Sequence, residues 1–271
     1  MTDKPSKINM RHTLCARSAL FLVAVVIVVT GAAPAFAQTV PSEDSGASAQ
    51  SPTTSDRPSL LKPFADVVGD VRRLPTRDNL DWLTVGLAAA LAGHPADARI
   101  ARSWTESGSP TFKPGAIIGG TPLELGAAFA TYAIGRATSS PRAMSLGGDL
   151  IRAQLLSELM TTAVKQTVRR TRPEGSGFSF PSGHTTVSFA SATVLQRHFG
   201  WRIGIPAYAV ASYVAASRVE MRRHYLSDVA FGAALGILAG RNVTVGPGHR
   251  FMLTPMMTPG GAGAGVTWIG K

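Results

Sequence analysis

Residues 146–170 read LGGDLIRAQLLSELMTTAVKQTVRR and carry the clearest helical signal in the chain. Their apolar residues recur at intervals of three and four, as on one face of an α-helix: Leu150, Ile151, Leu155, Leu159 and Met160. No strand-like alternation competes with this spacing. Similar segments, rich in Ala, Leu, Val and Ile, recur between Gly and Pro breaks from residue 60 to residue 245. The predicted fold class is therefore all-α, a helical bundle.

The same reasoning predicts helices at residues 64–73, 79–93, 121–137, 146–170, 183–199, 203–216 and 225–240. A membrane-spanning helix needs roughly 20 mainly apolar residues, and the charge-free runs here are shorter: 82–96, 125–135, 203–217 and 229–240. This favours a soluble or surface-associated bundle over a polytopic one and leaves the question of spanning helices open. After residue 246, two apolar stretches (251–253 and 266–269) flank Pro- and Gly-rich chain. They predict a short β-hairpin, with a loosely attached terminal strap as the alternative.

The N-terminal 37 residues have the pattern of an export signal. Four basic residues precede an unbroken apolar stretch (19–30), and Ala35-Phe36-Ala37 supplies a small-x-small cleavage site. An uncleaved inner-membrane anchor is the alternative, with the active site outside the cytoplasm in either case. The predicted organisation is a signal peptide (1–37), a disordered polar linker (38–60), a helical bundle (61–245) and a C-terminal tail (246–271). The expected location is the bacterial periplasm.

The charge and cysteine content exclude several function classes. The only cysteine, Cys15, lies in the export segment, so the rest of the chain has no disulfide, cysteine nucleophile or thiolate metal site. After Gln38 there are 23 Lys and Arg against 15 Asp and Glu. Export argues against a nucleic-acid partner, and the basic residues gather in two places, 165–172 and 218–223. This clustering suits an anionic substrate or an anionic membrane surface.

Three short blocks could carry chemistry. The first is Lys165-x6-Arg172-Pro173, whose two cations would project from nearly the same face of a helix that ends at Arg172 before Pro173. The second is Pro181-Ser182-Gly183-His184, at the start of a predicted helix. Ser182 or Gly183 would be the N-cap, and free N–H groups at a helix N-terminus bind phosphate. Taken alone, the first block is better explained by a solvated basic surface and the second by an ordinary capped helix.

The third block is Ser217-Arg218-x5-His224-x3-Asp228. Arg218 offers a planar fork of donors for phosphate oxygens. His224 and Asp228 are four residues apart, so on a helix the carboxylate would lie one turn from the imidazole. A carboxylate on one ring nitrogen leaves the other free as a nucleophile. A surface His–Asp pair is the plainer alternative for this block alone.

Taken together and in order, the three blocks resemble the signature of the type 2 phosphatidic acid phosphatase and vanadium haloperoxidase superfamily, which also contains bacterial acid phosphatases. The resemblance covers residues 165–228 directly. It implies a helical bundle in which five residues bind the phosphate: Lys165, Arg172, Ser182, Gly183 and Arg218.

The resemblance further implies a two-step phosphoryl transfer without a metal or other cofactor. His224 would attack phosphorus and form a phosphohistidine, His184 would protonate the leaving oxygen and then activate water, and Asp228 would orient His224. Only seven residues (174–180) separate the first two blocks, which leaves little room for a substrate-covering loop.

The leading hypothesis is an exported phosphate-monoester hydrolase. Its substrate would be a lipid phosphate, such as phosphatidic acid or an isoprenoid (pyro)phosphate, or else a small soluble phosphate ester, as for a non-specific acid phosphatase. A haloperoxidase, with vanadate in the phosphate site, is the less favoured second hypothesis. A non-catalytic binding module is the third, and it would have no use for His184, His224 and Asp228.

Overall fold

The computed structural model describes residues 59–103, 110–244, 250–258 and 261–269, and these form a helical bundle followed by a two-stranded hairpin. The helices are α1 (Lys62–Arg72), α2 (Arg77–Ser103), α3 (Lys113–Ile118), α4 (Thr121–Ala137), α5 (Pro141–Val168), α6 (Gly183–Phe199), α7 (Trp201–Glu220) and α8 (Leu226–Thr244). Strands β1 (Arg250–Thr258) and β2 (Gly261–Ile269) pair in antiparallel register, from Arg250 opposite Ile269 to Thr258 opposite Gly261. The predicted all-α class is confirmed, and so is the hairpin in the tail.

All seven predicted helices are present, and the differences lie at their ends and in one short helix. Helix α2 continues ten residues beyond its predicted end because Gly93, Asp97 and Ile100 lie on its buried face against the start of α8. This packing outweighs the backbone hydrogen bond lost at Pro95. Helix α3 was not predicted, since six residues are too few to show a period.

Helix α8 is the centre of the bundle, buried on nearly every face between α2, α5 and α6. Three glycines four residues apart, at positions 232, 236 and 240, line its contact with α6. A Cβ on Gly232 would lie 2.9 Å from the Ser182 carbonyl oxygen, and one on Gly240 would lie 2.6 Å from Cβ of Thr193. Small residues at these positions let the two helix backbones approach closely, which brings the N-terminal ends of α6 and α8 together.

The hydrophobic core follows the same helices. One group of buried side chains joins α2, α6, α7 and α8 around Phe189, and a second joins α4, α5, α6 and α8 around Leu156. Both groups contact α6, so the helix that begins at Gly183 is held on opposite sides. Its first turn is therefore a rigid platform for the residues around it.

None of the helices in the described residues has the length and apolar character needed to cross a membrane. The predicted signal peptide and all but the last two residues of the predicted linker lie outside the described residues. The proposed domain boundaries therefore remain predictions.

Candidate active site

The connection between α5 and α6, residues 169–182, is a compact turn rather than a helical extension. Helix α5 ends at Val168 because Arg169 adopts a left-handed backbone conformation, with φ of 50°. Beyond it, the Ser179 N–H donates to the Arg170 carbonyl at 2.7 Å, and Thr171 bridges Phe178 in antiparallel fashion. The prediction that Lys165 and Arg172 share one helical face was therefore wrong.

The turn nevertheless brings the two cations together. Lys165 Nζ and Arg172 Nε both donate to the carbonyl of Phe178, at 3.5 and 3.2 Å, and Lys165 also donates to the carbonyl of Pro181 at 2.7 Å. Burial, followed by the positive charge of Arg172, lowers the pKa of Lys165 to about 8. The ammonium ion is thus held at an electrostatic cost that a bound anion would relieve.

Ser182 is the N-cap of α6, as predicted, and Gly183 is its first helical residue. The Ser182 N–H donates to the Asp228 carbonyl at 3.1 Å, which joins the start of α6 to the start of α8. The Ser182 hydroxyl is not used to cap the helix and accepts a hydrogen bond from Thr185 at 2.9 Å. N–H groups in the first turn have no acceptor within the helix. Together with the helix dipole, they favour an anion here.

His184 lies in the first turn of α6, with its ring against α3. The Ala116 backbone raises the pKa of this ring, so the unpredicted short helix contributes to its surroundings. Burial, followed by the charges of Arg218 and His224, lowers the pKa of His184 to about 4. The imidazole is therefore neutral at neutral pH until a negative charge enters the site.

Arg218, in the last turn of α7, is a buried cation with little to neutralise it. Its side chain is 7% exposed, and its hydrogen bond within the described residues goes to Met221 Sδ at 3.9 Å. Its Nε has no hydrogen-bond partner there. Burial, followed by the charges of Arg223 and Arg172, lowers its pKa to about 10, although Glu174 acts in the opposite direction.

His224 is 3% exposed, and its Nδ1 lies 2.7 Å from the carbonyl oxygen of Ser179. A carbonyl can only accept, so Nδ1 carries the proton and Nε2 is left with a lone pair. The expected orienting group, Asp228, is farther away, with 3.7 Å between Nδ1 and Oδ2. His224 precedes α8, so its i, i+4 contact with Asp228 forms across the start of the helix and not along one helical face. The Asp228 carboxylate raises the pKa of the ring.

Asp228 is instead bound to other groups. Its Oδ2 accepts from the Tyr225 N–H at 2.8 Å, and its Oδ1 accepts from Arg170 at 2.9 Å. Arg170 also bonds Asp97 of α2 at 2.8 Å. The sequence reasoning missed both Arg170 and Asp97 as members of the site. The signal for Asp97 was its place between Gly93 and Ile100, where a carboxylate on a buried helix face requires a partner.

The predicted site residues thus form one electrostatic neighbourhood. Lys165, Arg218 and Asp228 all affect the pKa of His224. Lys165, Arg218 and His224 all lower the pKa of His184. Arg172 belongs to the same group through its effect on Lys165 and Arg218. In the part of the chain that the structure describes, no cluster of three or more His, Cys, Asp or Glu could hold a metal ion. The class that this fold and site define is an all-α protein with a cationic, two-histidine anion site.

Comparison with known proteins points to the same superfamily as the sequence blocks. Residues 174–250 match the family model of the PAP2 superfamily. It is 44% identical over 85 residues to the lipid A 1-phosphatase of Porphyromonas gingivalis, which is 30% of this chain and 19% of that protein.

A second relative is the decaprenylphosphoryl-5-phosphoribose phosphatase of Mycobacterium tuberculosis, 35% identical over 106 residues, or 35% of this chain and 58% of that protein. The chain therefore aligns with less than two thirds of the length of either relative. Among solved structures, a transmembrane PAP2 type phosphatidylglycerolphosphate phosphatase from Bacillus subtilis superposes with a TM-score of 0.48 at 20% identity, over 68% of this chain and 93% of that one.

Proposed function

We propose that this protein is a phosphatase that transfers a phosphoryl group to His224 and then to water. The observation that carries the proposal is the unneutralised positive charge of the site. Burial lowers the pKa values of Lys165, His184 and Arg218 together, to about 8, 4 and 10. Each protonated group is held at a cost, and a phosphate dianion among them would remove it.

The binding step follows from the donors present. The phosphate oxygens would take hydrogen bonds from Lys165, Arg172 and Arg218 and from the free N–H groups at the start of α6. Phosphoryl transfer depends mainly on positioning and charge stabilisation, and a buried, preorganised set of cations supplies both. The negative charge of the substrate would also raise the pKa of His184, so that its ring enters the reaction protonated.

In the first step, His224 Nε2 attacks phosphorus and forms a P–N bond. The bond to the leaving oxygen breaks and its electron pair stays on that oxygen, which takes a proton from His184. In the second step, His184 accepts a proton from water, the hydroxide so formed attacks phosphorus, and the P–N bond breaks with its electron pair returning to Nε2 of His224. Inorganic phosphate leaves and both imidazoles return to their first state.

The proposed substrate class is a phosphorylated lipid, such as phosphatidic acid or an isoprenoid (pyro)phosphate. Two observations support it. The relatives matched are, by name, phosphatases of lipid A and of a decaprenyl phosphate ester. Large apolar side chains are also exposed on several helices of the bundle, among them Leu87, Leu91, Ile117, Ile134 and Ile205. Export to the periplasm and contact with an anionic membrane surface complete the proposal.

Phosphate release by the full chain from phosphatidic acid in mixed micelles and from p-nitrophenyl phosphate tests the proposal. His224→Ala is expected to abolish release, whereas His94→Ala, which removes an exposed imidazole from α2, is expected to retain it. Quenching in alkaline detergent after reaction with a ³²P-labelled substrate is expected to trap an alkali-stable, acid-labile phosphoenzyme in wild type and in His94→Ala, but not in His224→Ala.

The outcomes separate the alternatives. A strong preference for p-nitrophenyl phosphate would replace the lipid by a soluble ester. Halide oxidation that requires added vanadate, without any phosphate release, would overturn the phosphatase in favour of a haloperoxidase. Full activity of His224→Ala would remove the phosphohistidine from the mechanism.

A further inference from the structure

Arg170, at an unspecified position within the first sequence block, contacts two buried carboxylates at once. Its guanidinium donates to Asp228 Oδ1 at 2.9 Å through one terminal nitrogen and to Asp97 Oδ2 at 2.8 Å through the other. The first of these nitrogens also donates to the Ser227 hydroxyl at 2.7 Å, and the guanidinium carbon lies 3.9 Å from the centre of the Tyr225 ring. The side chain thus contacts Tyr225, just before α8, and Ser227 and Asp228 in its first turn.

The backbone of Arg170 reaches His224 by a second route. Its carbonyl accepts from the Ser179 N–H at 2.7 Å, and the Ser179 carbonyl in turn accepts from His224 Nδ1 at 2.7 Å. One residue therefore holds both groups that act on the imidazole: the carbonyl that sets its tautomer, and the carboxylate 3.7 Å from Nδ1.

Asp97 holds Arg170 in place from the opposite side. This carboxylate, on α2, accepts from the Ser227 N–H at 3.0 Å and from the Ser227 hydroxyl at 2.5 Å as well as from Arg170. Asp97 and Asp228 are 4% and 0% exposed, and burying a carboxylate without a paired cation is costly. The three side chains link α2, the turn before α6 and α8.

We propose that Arg170, braced by Asp97, is the positioning residue of this site. It fixes the orientation of the His224 ring and offsets the charge of Asp228 beside it. The inference rests on the proposed function only where it predicts rates. It concerns a residue that touches neither the phosphate nor the reacting atoms.

A lysine at position 170 could not make the contacts that Arg170 makes. An ammonium ion offers no planar fork that can bond carboxylates on two different helices, and it does not stack on Tyr225 as a guanidinium does. Arg170→Lys therefore keeps the charge and loses the geometry, whereas Arg170→Gln loses both. The pair of variants separates the two parts of the proposed role.

The charge of Arg170 affects the pKa of His224 in a definite direction. The groups that affect the pKa of His224 are Lys165 from α5, Arg218 from α7 and Asp228 from α8. Arg170 from the turn contacts Asp228, His184 from α6 is itself affected by His224, and Arg172 acts on Lys165 and Arg218. Burial and the cations lower the pKa of His224, and Asp228 raises it. Loss of the Arg170 charge strengthens the effect of Asp228 and raises this pKa. Loss of the Asp97 charge leaves Arg170 less compensated and lowers it.

The experiment measures kcat, KM and the pH profile for p-nitrophenyl phosphate in the full chain with Arg170→Gln, Arg170→Lys and Asp97→Asn. Arg202→Gln, an exposed arginine on α7, is the matched control. Both Arg170 variants are expected to lose about 10- to 100-fold in kcat, with KM changed less than about threefold, because the binding cations remain. The acid limb of the pH profile reports protonation of His224. It is expected to move to higher pH by about 0.5 to 1 unit in Arg170→Gln, to stay unchanged in Arg170→Lys, and to move to lower pH in Asp97→Asn.

Nitrogen-15 NMR titration of the His224 ring in the same variants reads the pKa without turnover. If wild type hydrolyses no ester but the ring titration moves in the two opposite directions, the phosphatase proposal fails and the positioning role stands. If wild type is active and Arg170→Gln matches it in kcat and in acid limb, the positioning role is overturned. Equal loss of kcat in all three variants without movement of the ring pKa would also overturn it, because a purely structural role has that result.

Discussion

The low pKa of His184 makes a quantitative prediction about stability. This pKa falls from an ordinary 6.5 to about 4 in the folded protein, because of burial and then the charges of Arg218 and His224. Unfolding returns the ring to water, so below pH 6.5 the unfolded chain binds a proton that the folded chain does not. The His184 contribution to stability is therefore complete above the unfolded pKa and is lost as the pH falls from 6.5 towards 4.

A pH of 5 is about 1.5 units below the pKa of the unfolded imidazole. At about 1.36 kcal/mol per unit, the free energy of unfolding is about 2 kcal/mol lower there than at neutral pH. The ring is partly open to solvent, which screens the charges, so about 1 to 2 kcal/mol is expected. His184→Gln removes the titrating group. The free energy of unfolding of wild type should thus fall more than that of the variant, by this amount, between pH 7 and pH 5.

Urea unfolding of the full chain, monitored by circular dichroism at pH 7 and pH 5, measures the change in unfolding free energy between the two pH values. The difference in this change between wild type and His184→Gln is the predicted quantity. Any pH-independent damage from the substitution cancels in it. His94→Gln, which removes a solvent-exposed imidazole from α2, is the control for loss of a histidine as such. Equal pH dependence in wild type and His184→Gln would refute the reasoning, because it would mean that the site does not disfavour the protonated ring.

Two further predictions concern the acidic residue next to the site and the glycine contact between helices. Glu174 bonds Arg223 at 2.6 Å and lies 3.7 Å from Arg172, so it competes with phosphate for Arg172. Glu174→Gln is expected to lower the dissociation constant of inorganic phosphate about two- to fivefold. An unchanged or higher dissociation constant in isothermal titration calorimetry would contradict the competition. Gly236→Ala would place a Cβ against the backbone of α6, and a loss of about 1 to 3 kcal/mol in urea unfolding is expected. Gly126→Ala on α4, where nothing lies within 4 Å of the new Cβ, should gain up to about 1 kcal/mol, and similar effects of both substitutions would show that the α6–α8 contact tolerates separation.

The helices were predictable because their pattern is local. In α5 the apolar spacing of three and four is present in the sequence itself, and the structure places a helix there from Pro141 to Val168. Gly183 could likewise be placed at the start of a helix, because cap preferences depend on a few neighbouring residues. The short α3 could not, since its position depends on contact of Gly115 and Gly119 with α7.

The geometry of the site was predictable only in part. Lys165 and Arg172 were expected to meet on a helical face, yet they meet at a shared backbone carbonyl after the helix has ended at Val168. Asp228 was expected to bond His224, but the Ser179 carbonyl lies closer to the ring. In both cases the residues were identified correctly as neighbours, and the atoms that join them were not.

The sequence by itself determined the helical class and a helix start at Ser182 or Gly183, because these follow from local periodicity and cap preferences. That the charged and histidine residues come together was implied by the resemblance of the three ordered blocks. The tertiary structure alone decided which groups orient the histidines and which cation bridges Asp97 and Asp228. Those contacts join segments between about 45 and 130 residues apart in the chain. Their partners include backbone carbonyls, which every residue has, so no residue type marks them in advance. They form only when the glycine face of α8 packs against α6 and the turn after α5 closes over both.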